Sequence, residues 1–441
     1  MIIYIANEIT VRELSSHLLL SIIAASRGHQ VMIGSINDIL LNNRLSLLPL
    51  GPLLIKNLNV PAISRVTYDK LLKSGFELYC HEQEPGILRS DYNKHVESCN
   101  IYSEQFMPFK GVFCWGKMDY IFYKKLFSRQ QEVFQLTGSP RVDLWRPEIA
   151  QLWQPDYIKA MKPYVLFVSN NSFAVGKQHW SEAIVIGRAY ATLESTELEN
   201  DFYLSIQKDI LMVQSATFSL IKLAKKHPDI NFIIRPHPAD NEGYWRAAIG
   251  EHVNIHVIYR DTLTPWIAGA KAVIHNSCTS AIEAAIQGVP VISYVPSELC
   301  NMLDIPNKLG TRVSNHQELT TAIEYALTLT DARCMTSESH TLLDPLLSIN
   351  KEMASQKIIE LMEQATEIKS TNRISKTNFQ KINLALRAKV VFDKARGIYS
   401  YGAANQFDKN DVQRQINKIS GILGLPVPKV KFVSNTTILI G

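Results

Sequence analysis

No apolar run in this sequence is long enough to cross a bilayer. The stretch from Leu18 to Ala25 is bounded by His17 and Ser26, and the region from Leu45 to Leu58 is broken by Pro49, Gly51 and Pro52, whereas a spanning helix needs about 20 apolar residues. The six cysteines (80, 99, 114, 278, 300 and 334) are scattered without any Cys-x-x-Cys pair. That spacing suggests neither a zinc site nor a disulfide framework, and reduced thiols are expected. Basic residues do not cluster with aromatics, which argues against a nucleic-acid partner. No repeat of solenoid period is present, and no Asp-x-Asp stands at the end of an expected strand, so neither a metal nor a cofactor is expected. The opening Met1-Ile-Ile-Tyr-Ile has no basic leader and reads as a first strand, not a signal peptide. A cytoplasmic protein is expected.

What is present is the composition of a globular chain with substantial cores: 441 residues, 46% hydrophobic and 20% charged, with a formal charge of +5. This length predicts two or three domains. The mild positive charge favours anionic nucleotides or an anionic membrane surface without deciding between them.

The apolar pattern predicts an α/β fold. Ile2 to Ile5 is an apolar run, Arg12 to Arg27 has helical periodicity stopped by Gly28, and Val31 to Gly34 is a second strand, together a parallel βαβ unit. Further strands are expected at Phe76 to Tyr79 and Gly111 to Trp115. Residues 151–163, rich in Trp, Pro and Lys, read as a linker between a first domain over 1–150 and a second over 164–366. In the second domain Tyr164 to Ser169, Asn231 to Ile234, His256 to Tyr259, Ala272 to His275 and Val289 to Tyr294 are expected strands, with helices at Gln207 to His227 and Thr279 to Gln287. Residues 367–441 shift to Lys, Asn, Gln and Ser and read as a small, helical appendage. Two doubly wound parallel sheets facing a cleft is the architecture this predicts.

The most informative segment runs Phe232-Ile-Ile-Arg-Pro-His-Pro, then His275-Asn-Ser-Cys-Thr-Ser-Ala-Ile-Glu-Ala-Ala, then Gly288-Val-Pro-Val-Ile-Ser-Tyr. Arg235 and His237 stand at the C-terminal end of a strand, where a cation and an imidazole can meet a phosphate, and Pro236 and Pro238 stiffen that turn. Asn276, Ser277, Thr279 and Ser280 lie between a strand and a helix N-terminus, which suits an anion. Glu283, one turn on, could accept from a ribose hydroxyl. Asn170 and Asn171 end the first strand of the second domain and could reach phosphate or sugar. The plainer alternative is that the Ser and Thr residues cap the helix and His237 satisfies a turn carbonyl.

These motifs resemble the C-terminal half of bacterial surface-carbohydrate biosynthesis proteins of the GT-B fold, related to CMP-dependent β-Kdo transferases. The first half is similar too, at Glu8-Ile-Thr-Val-Arg-Glu-Leu, Arg27-Gly28-His29, Thr137-Gly-Ser-Pro-Arg-Val-Asp and Val168-Ser-Asn-Asn-Ser-Phe, so that roughly residues 1–330 are covered. The resemblance implies a glycosyltransferase using a CMP-activated ulosonic acid, Kdo or a nonulosonate, to build lipopolysaccharide or capsule. His237, Ser277, Thr279 and Ser280 would then hold the CMP. Its partners would be the sugar nucleotide and a glycan or lipid-linked glycan acceptor, with peripheral contact at the inner face of the membrane compatible with that role.

Sugar transfer needs a carboxylate on the acceptor side. The candidates are Glu84 and, second, Glu82, in Cys80-His-Glu-Gln-Glu-Pro-Gly. The resembling family carries an Asp-Glu-Glu-Gly-like or Glu-Asp-Gly-like motif there, from which His81, Gln83 and Pro85 depart. Arg141 could meet an anion or anchor to Asp143, and Arg12 and Glu13 could line the cleft or pair on a helix face. Two other readings stay open: the same fold using a nucleotide-diphosphate sugar or CDP-glycerol, and a non-catalytic scaffold subunit.

Overall fold

The structure is a computed structural model that describes residues 1–56, 70–83, 109–150, 153–189, 195–301, 303–329, 333–349, 352–367, 373–395 and 406–441. These form two compact α/β units. One comprises the described residues up to Leu144 together with those from Leu342 onward, and the other comprises Trp145–Thr341.

The first unit is built on strands β1 (Ile2–Ala6), β2 (Gln30–Gly34), β3 (Pro52–Ile55), β4 (Glu77–Cys80), β5 (Phe109–Cys114) and β6 (Phe134–Leu136). All pair in parallel, in the order β2-β1-β3-β4-β5-β6. Nearly every residue of β1 to β5 is buried, as expected of a parallel sheet covered on both faces. The helix Thr10–Ser26 returns the chain from β1 to β2 and ends at Gly28, whose φ of +85° is a left-handed conformation that glycine adopts without penalty.

The second unit holds β7 (Tyr164–Val168), β8 (Asn231–Arg235), β9 (Ile255–Val257), β10 (Ala272–His275), β11 (Val291–Tyr294) and β12 (Thr311–Val313), again all parallel. Their order, β12-β11-β10-β7-β8-β9, is the doubly wound pattern whose direction of winding reverses between β7 and β10. The 31-residue helix Thr196–Lys226 joins β7 to β8 and lays Met212, Ala216, Leu220 and Leu223 on the sheet. It begins eleven residues before the expected start, where Ser195 caps the Leu198 N–H.

The chain then returns to the first unit, which differs from the expected appendage over 367–441. Helix Ala354–Ala365 is seated there because Asp143 accepts from the backbone N–H groups of Ala354 (3.1 Å) and Ser355 (2.8 Å). Gly116 permits the close approach of Leu346, whose carbonyl would stand 2.2 Å from any Cβ at that position. Two last strands, β13 (Val430–Phe432) and β14 (Thr437–Ile440), extend the first sheet, β14 pairing antiparallel with β2. The physical reason is the free edge of β2, whose backbone needs a partner. The expected linker also departs from the reading: its described residues belong to the second unit, where Ile158 is buried and Gln154 donates to the Pro265 carbonyl at 2.9 Å.

Candidate functional site

In both units the polar side chains gather just past the C-terminal ends of the parallel strands. Backbone amides and helix N-termini converge there, and a doubly wound sheet opens a crevice where its winding reverses.

In the second unit that reversal lies between the segment after β7, Ser169–Ser172, and the segment after β10, Asn276–Ser280. Asn170 ties the two together, its Nδ2 donating to the Ser277 carbonyl at 3.2 Å. Asn171 is buried beside it. The organising residue is Asp240. Its Oδ2 accepts from Ser169 Oγ (2.6 Å), the His237 backbone N–H (3.0 Å) and the Trp245 indole N–H (3.1 Å), and its Oδ1 accepts from Ser172 Oγ (2.8 Å). The Ala239 N–H points at His237 Nδ1 (3.2 Å), and Ser172 Oγ lies at the same distance from that nitrogen. Nδ1 is therefore the lone-pair nitrogen and the ring proton sits on Nε2, which makes Nε2 a donor.

His237 lines a pocket of about 320 Å3 together with Lys177, Pro238, Asp240, Asn241, Glu242 and Tyr259. Lys177 reaches back to the Pro238 carbonyl at 2.9 Å, which holds an ammonium at the rim. Sequence reasoning passed over Asp240, Ser172, Lys177 and Tyr259. For Asp240 a signal was present, an Asp three residues after His237 in a proline-stiffened turn, where a carboxylate regularly accepts a nearby backbone N–H.

Several sequence candidates are committed to holding loops. Arg235 is 5% exposed and its guanidinium donates to the carbonyls of Ile258 (3.2 Å), Arg260 (2.7 Å) and Asp261, while lying over the Tyr259 ring at 4.9 Å. Burial lowers its pKa. This side chain staples the segment after β9. Asn276 donates to the Tyr294 carbonyl at 2.8 Å. Ser277, with φ +44°, has its N–H on Asn307 Oδ1 (2.8 Å) and its Oγ on the Cys300 carbonyl (3.0 Å), and it accepts from the Leu303 N–H and Asn307 Nδ2. Thr279 is exposed ahead of helix Ser280–Ile286, the Ser280 hydroxyl is buried without a hydrogen-bond partner among the described residues, and buried Glu283 accepts from Gln287 at 3.3 Å.

In the first unit the corresponding reversal lies between β1 and β3. Lys56 sits there, 2.8 Å from Glu8 and 3.1 Å from Glu13, and Glu13, buried, also accepts the Glu8 N–H at 2.7 Å. Glu13 thus faces the strand ends. Past β4, Glu82 is half-buried and its carbonyl accepts the Trp115 indole N–H at 2.6 Å. Glu84 lies outside the described residues. Arg141 donates to the Gln83 carbonyl at 2.6 Å, and Gln83 Nε2 meets His17 Nε2 at 3.2 Å, with His17 Nδ1 3.1 Å from Asn7 Oδ1. Burial holds both His17 and His81 down to about 3, so both rings are neutral, and His81 stacks on Trp115 with centroids 5.8 Å apart. Asp119, in the first turn after β5, is pushed up to about 7 by burial, with the charge of Glu82 adding to it. Among the described residues no group of His, Cys, Asp and Glu has the arrangement of a metal site.

No established sequence family and no curated protein matches the chain. Solved structures do. A protein assigned as UDP-N-acetylglucosamine 2-epimerase from Listeria monocytogenes superposes with a TM-score of 0.51 at 11% identity, over 84% of this chain and 97% of that one. The UDP-GlcNAc 2-epimerase of Methanocaldococcus jannaschii gives a TM-score of 0.50 at 13% identity, over 82% and 99%. The wall teichoic acid polymerase TagF is more distant, with a TM-score of 0.42 at 10% identity over 71% and 72%. At these identities the first two likenesses establish the fold: two Rossmann-like units with parallel sheets, of the GT-B kind.

Proposed function

We propose that the chain is a glycosyltransferase that binds a sugar nucleotide in its second unit. The observation that carries the reading is His237, whose backbone is held by Asp240 and whose Nδ1 accepts the Ala239 N–H, leaving Nε2–H as a donor on the wall of the 320 Å3 pocket. Lys177 supplies a cation at the same pocket. A neutral imidazole donor beside one ammonium suits a phosphate, and the names of the two fold relatives, both enzymes of a UDP-sugar, fit the same ligand class.

For the donor, the sequence resemblance favours a CMP-activated ulosonic acid. The cation count points the same way. With Arg235 committed to the segment after β9, Lys177 is the only Lys or Arg among the described residues lining the pocket, and a diphosphate calls for more positive charge than a monophosphate. The acceptor, a bacterial surface glycan, would meet the strand ends of the first unit, and Glu84, or else Glu82, would take the proton of the attacking hydroxyl.

Calorimetric titration with CMP, CDP, UDP and GDP tests the reading. CMP should bind best, and His237→Ala should weaken it by about 10- to 150-fold, the worth of a charge-assisted hydrogen bond. Unchanged affinity in that variant removes the centre of the proposal, preference for a diphosphate transfers it to nucleotide-diphosphate sugars or CDP-glycerol, and no binding at all favours a scaffold. Glu84→Gln should abolish nucleotide release from a CMP-ulosonic acid while sparing CMP affinity. Loss with Glu82→Gln alone would assign the base to Glu82.

A further inference from the structure

Helix Lys376–Ala395 has two unlike faces. Ile382 and Leu386, with Phe379 beside them, pack into the core of the first unit, and Lys389 binds Asp38 at 2.7 Å, so the helix is firmly seated. Its outward face carries Leu384, Ala388, Val391 and Ala395, all exposed, at spacings of four, three and four residues. That spacing draws one stripe along three turns, about 17 Å long. Leu384 and Val391 are each 69% exposed. Single exposed apolar residues are ordinary; four aligned along one face of a seated helix are not.

The stripe is flanked by charge of one sign. Lys376, Lys381 and Arg387 are exposed on the same helix, whose one acid, Asp393, is half-buried. We propose that this face lies on an anionic lipid bilayer, with Leu384 and Val391 entering the acyl boundary and Lys376, Lys381 and Arg387 meeting phosphate headgroups. An apolar stripe between basic flanks is the pattern of an interfacial helix. A second copy of the chain fits less well, because a two-fold pairing of this face would bring like charges together. No described helix is long and apolar enough to cross a membrane, so the contact is a surface one.

Vesicle co-sedimentation tests this on the full chain. Wild type should bind vesicles of phosphatidylglycerol and phosphatidylcholine in equal parts, bind phosphatidylcholine vesicles at least tenfold less, and be released by salt. The double variant Leu384→Glu/Val391→Glu, at exposed positions and checked for wild-type circular dichroism, should lose at least tenfold in binding. Lys381→Glu/Arg387→Glu should lose more, at about fivefold for each cation removed and again for each acid introduced. Absence of wild-type binding overturns the proposal, as does equal binding to both vesicle types. Full binding by Leu384→Glu/Val391→Glu refutes the role of the stripe. A concentration-dependent dimer in sedimentation velocity, abolished by that variant and unaccompanied by vesicle binding, would assign the face to a second copy.

Discussion

Removing the carboxylate of Asp240 should loosen the second unit and the proposed nucleotide site together. Asp240 is 2% exposed and receives four donors, two of which, the Trp245 indole N–H and the His237 backbone N–H, are fixed in direction. The other two are hydroxyls, Ser169 and Ser172, which can rotate to new acceptors. In Asp240→Ala the two fixed donors lose their acceptor, at about 1–3 kcal/mol each, for a total near 4 kcal/mol. Asp240→Asn keeps an oxygen where three donors converge and turns its NH2 toward Ser172, so it should cost only about 1–2 kcal/mol. Because two units need not unfold as one, hydrogen exchange of peptides spanning 164–172 and 231–249 is the suitable assay, with CMP calorimetry alongside. Protection should fall strongly in Asp240→Ala and mildly in Asp240→Asn, with nucleotide affinity following the same order. Wild-type protection in Asp240→Ala would refute the reasoning, and equal losses in both variants would mean that charge, not the number of acceptors, holds the turn.

Ser277→Ala strands the Leu303 N–H and Asn307 Nδ2; it should cost about 1–3 kcal/mol in denaturant unfolding and leave CMP affinity within about twofold once folded, whereas a selective loss of CMP binding would return Ser277 to the donor site. Asp119 holds its proton up to about pH 7 in the folded protein against an ordinary 3.8, so between those values the folded state binds a proton the unfolded chain has released and stability falls as pH rises, by at most about 4 kcal/mol. Asp119→Asn should therefore flatten the unfolding free energy between pH 5 and 8, and parallel curves for variant and wild type would count against the shifted carboxyl. Lys56→Met should cost about 3 kcal/mol by leaving the buried Glu13 carboxylate unpaired, and adding Glu13→Leu should restore most of it; no recovery in the double variant would refute the pairing.

The parallel strands were legible because burial on both faces writes them as continuous apolar runs: Ile2–Ala6, Tyr164–Val168 and Ala272–His275 are found within a residue of where those runs lie. Strands that lack such a run were not. β3 begins at Pro52, whose missing N–H reads as a breaker, although a first strand position needs no donor there. β6 and β12 are three residues each and carry Gln135 and Thr311-Arg312 inside them, so no apolar run marks them. The return of the chain to the first unit had no local sign at all, since it depends on Asp143 capping a helix 211 residues further on and on a free edge of β2 that only the folded sheet possesses.

The candidate site divides along the same line. His237 and the strand ends around it were legible because a polar turn after a buried strand is a local pattern with a general meaning. What the polar residues of 276–280 do was not, because an anion site and a loop anchor use the same hydroxyls and amides. The choice at Ser277 is made by Asn307, thirty residues downstream, which holds both its N–H and its hydroxyl. That grip fixes a serine at φ +44°, a conformation that a non-glycine residue keeps only when its surroundings impose it. The backbone is therefore set by the fold before any ligand arrives. On the function proposed above, ligand recognition would fall instead to the turn after β8, where Asp240 holds the His237 backbone and the Ala239 N–H on Nδ1 leaves the ring proton on Nε2.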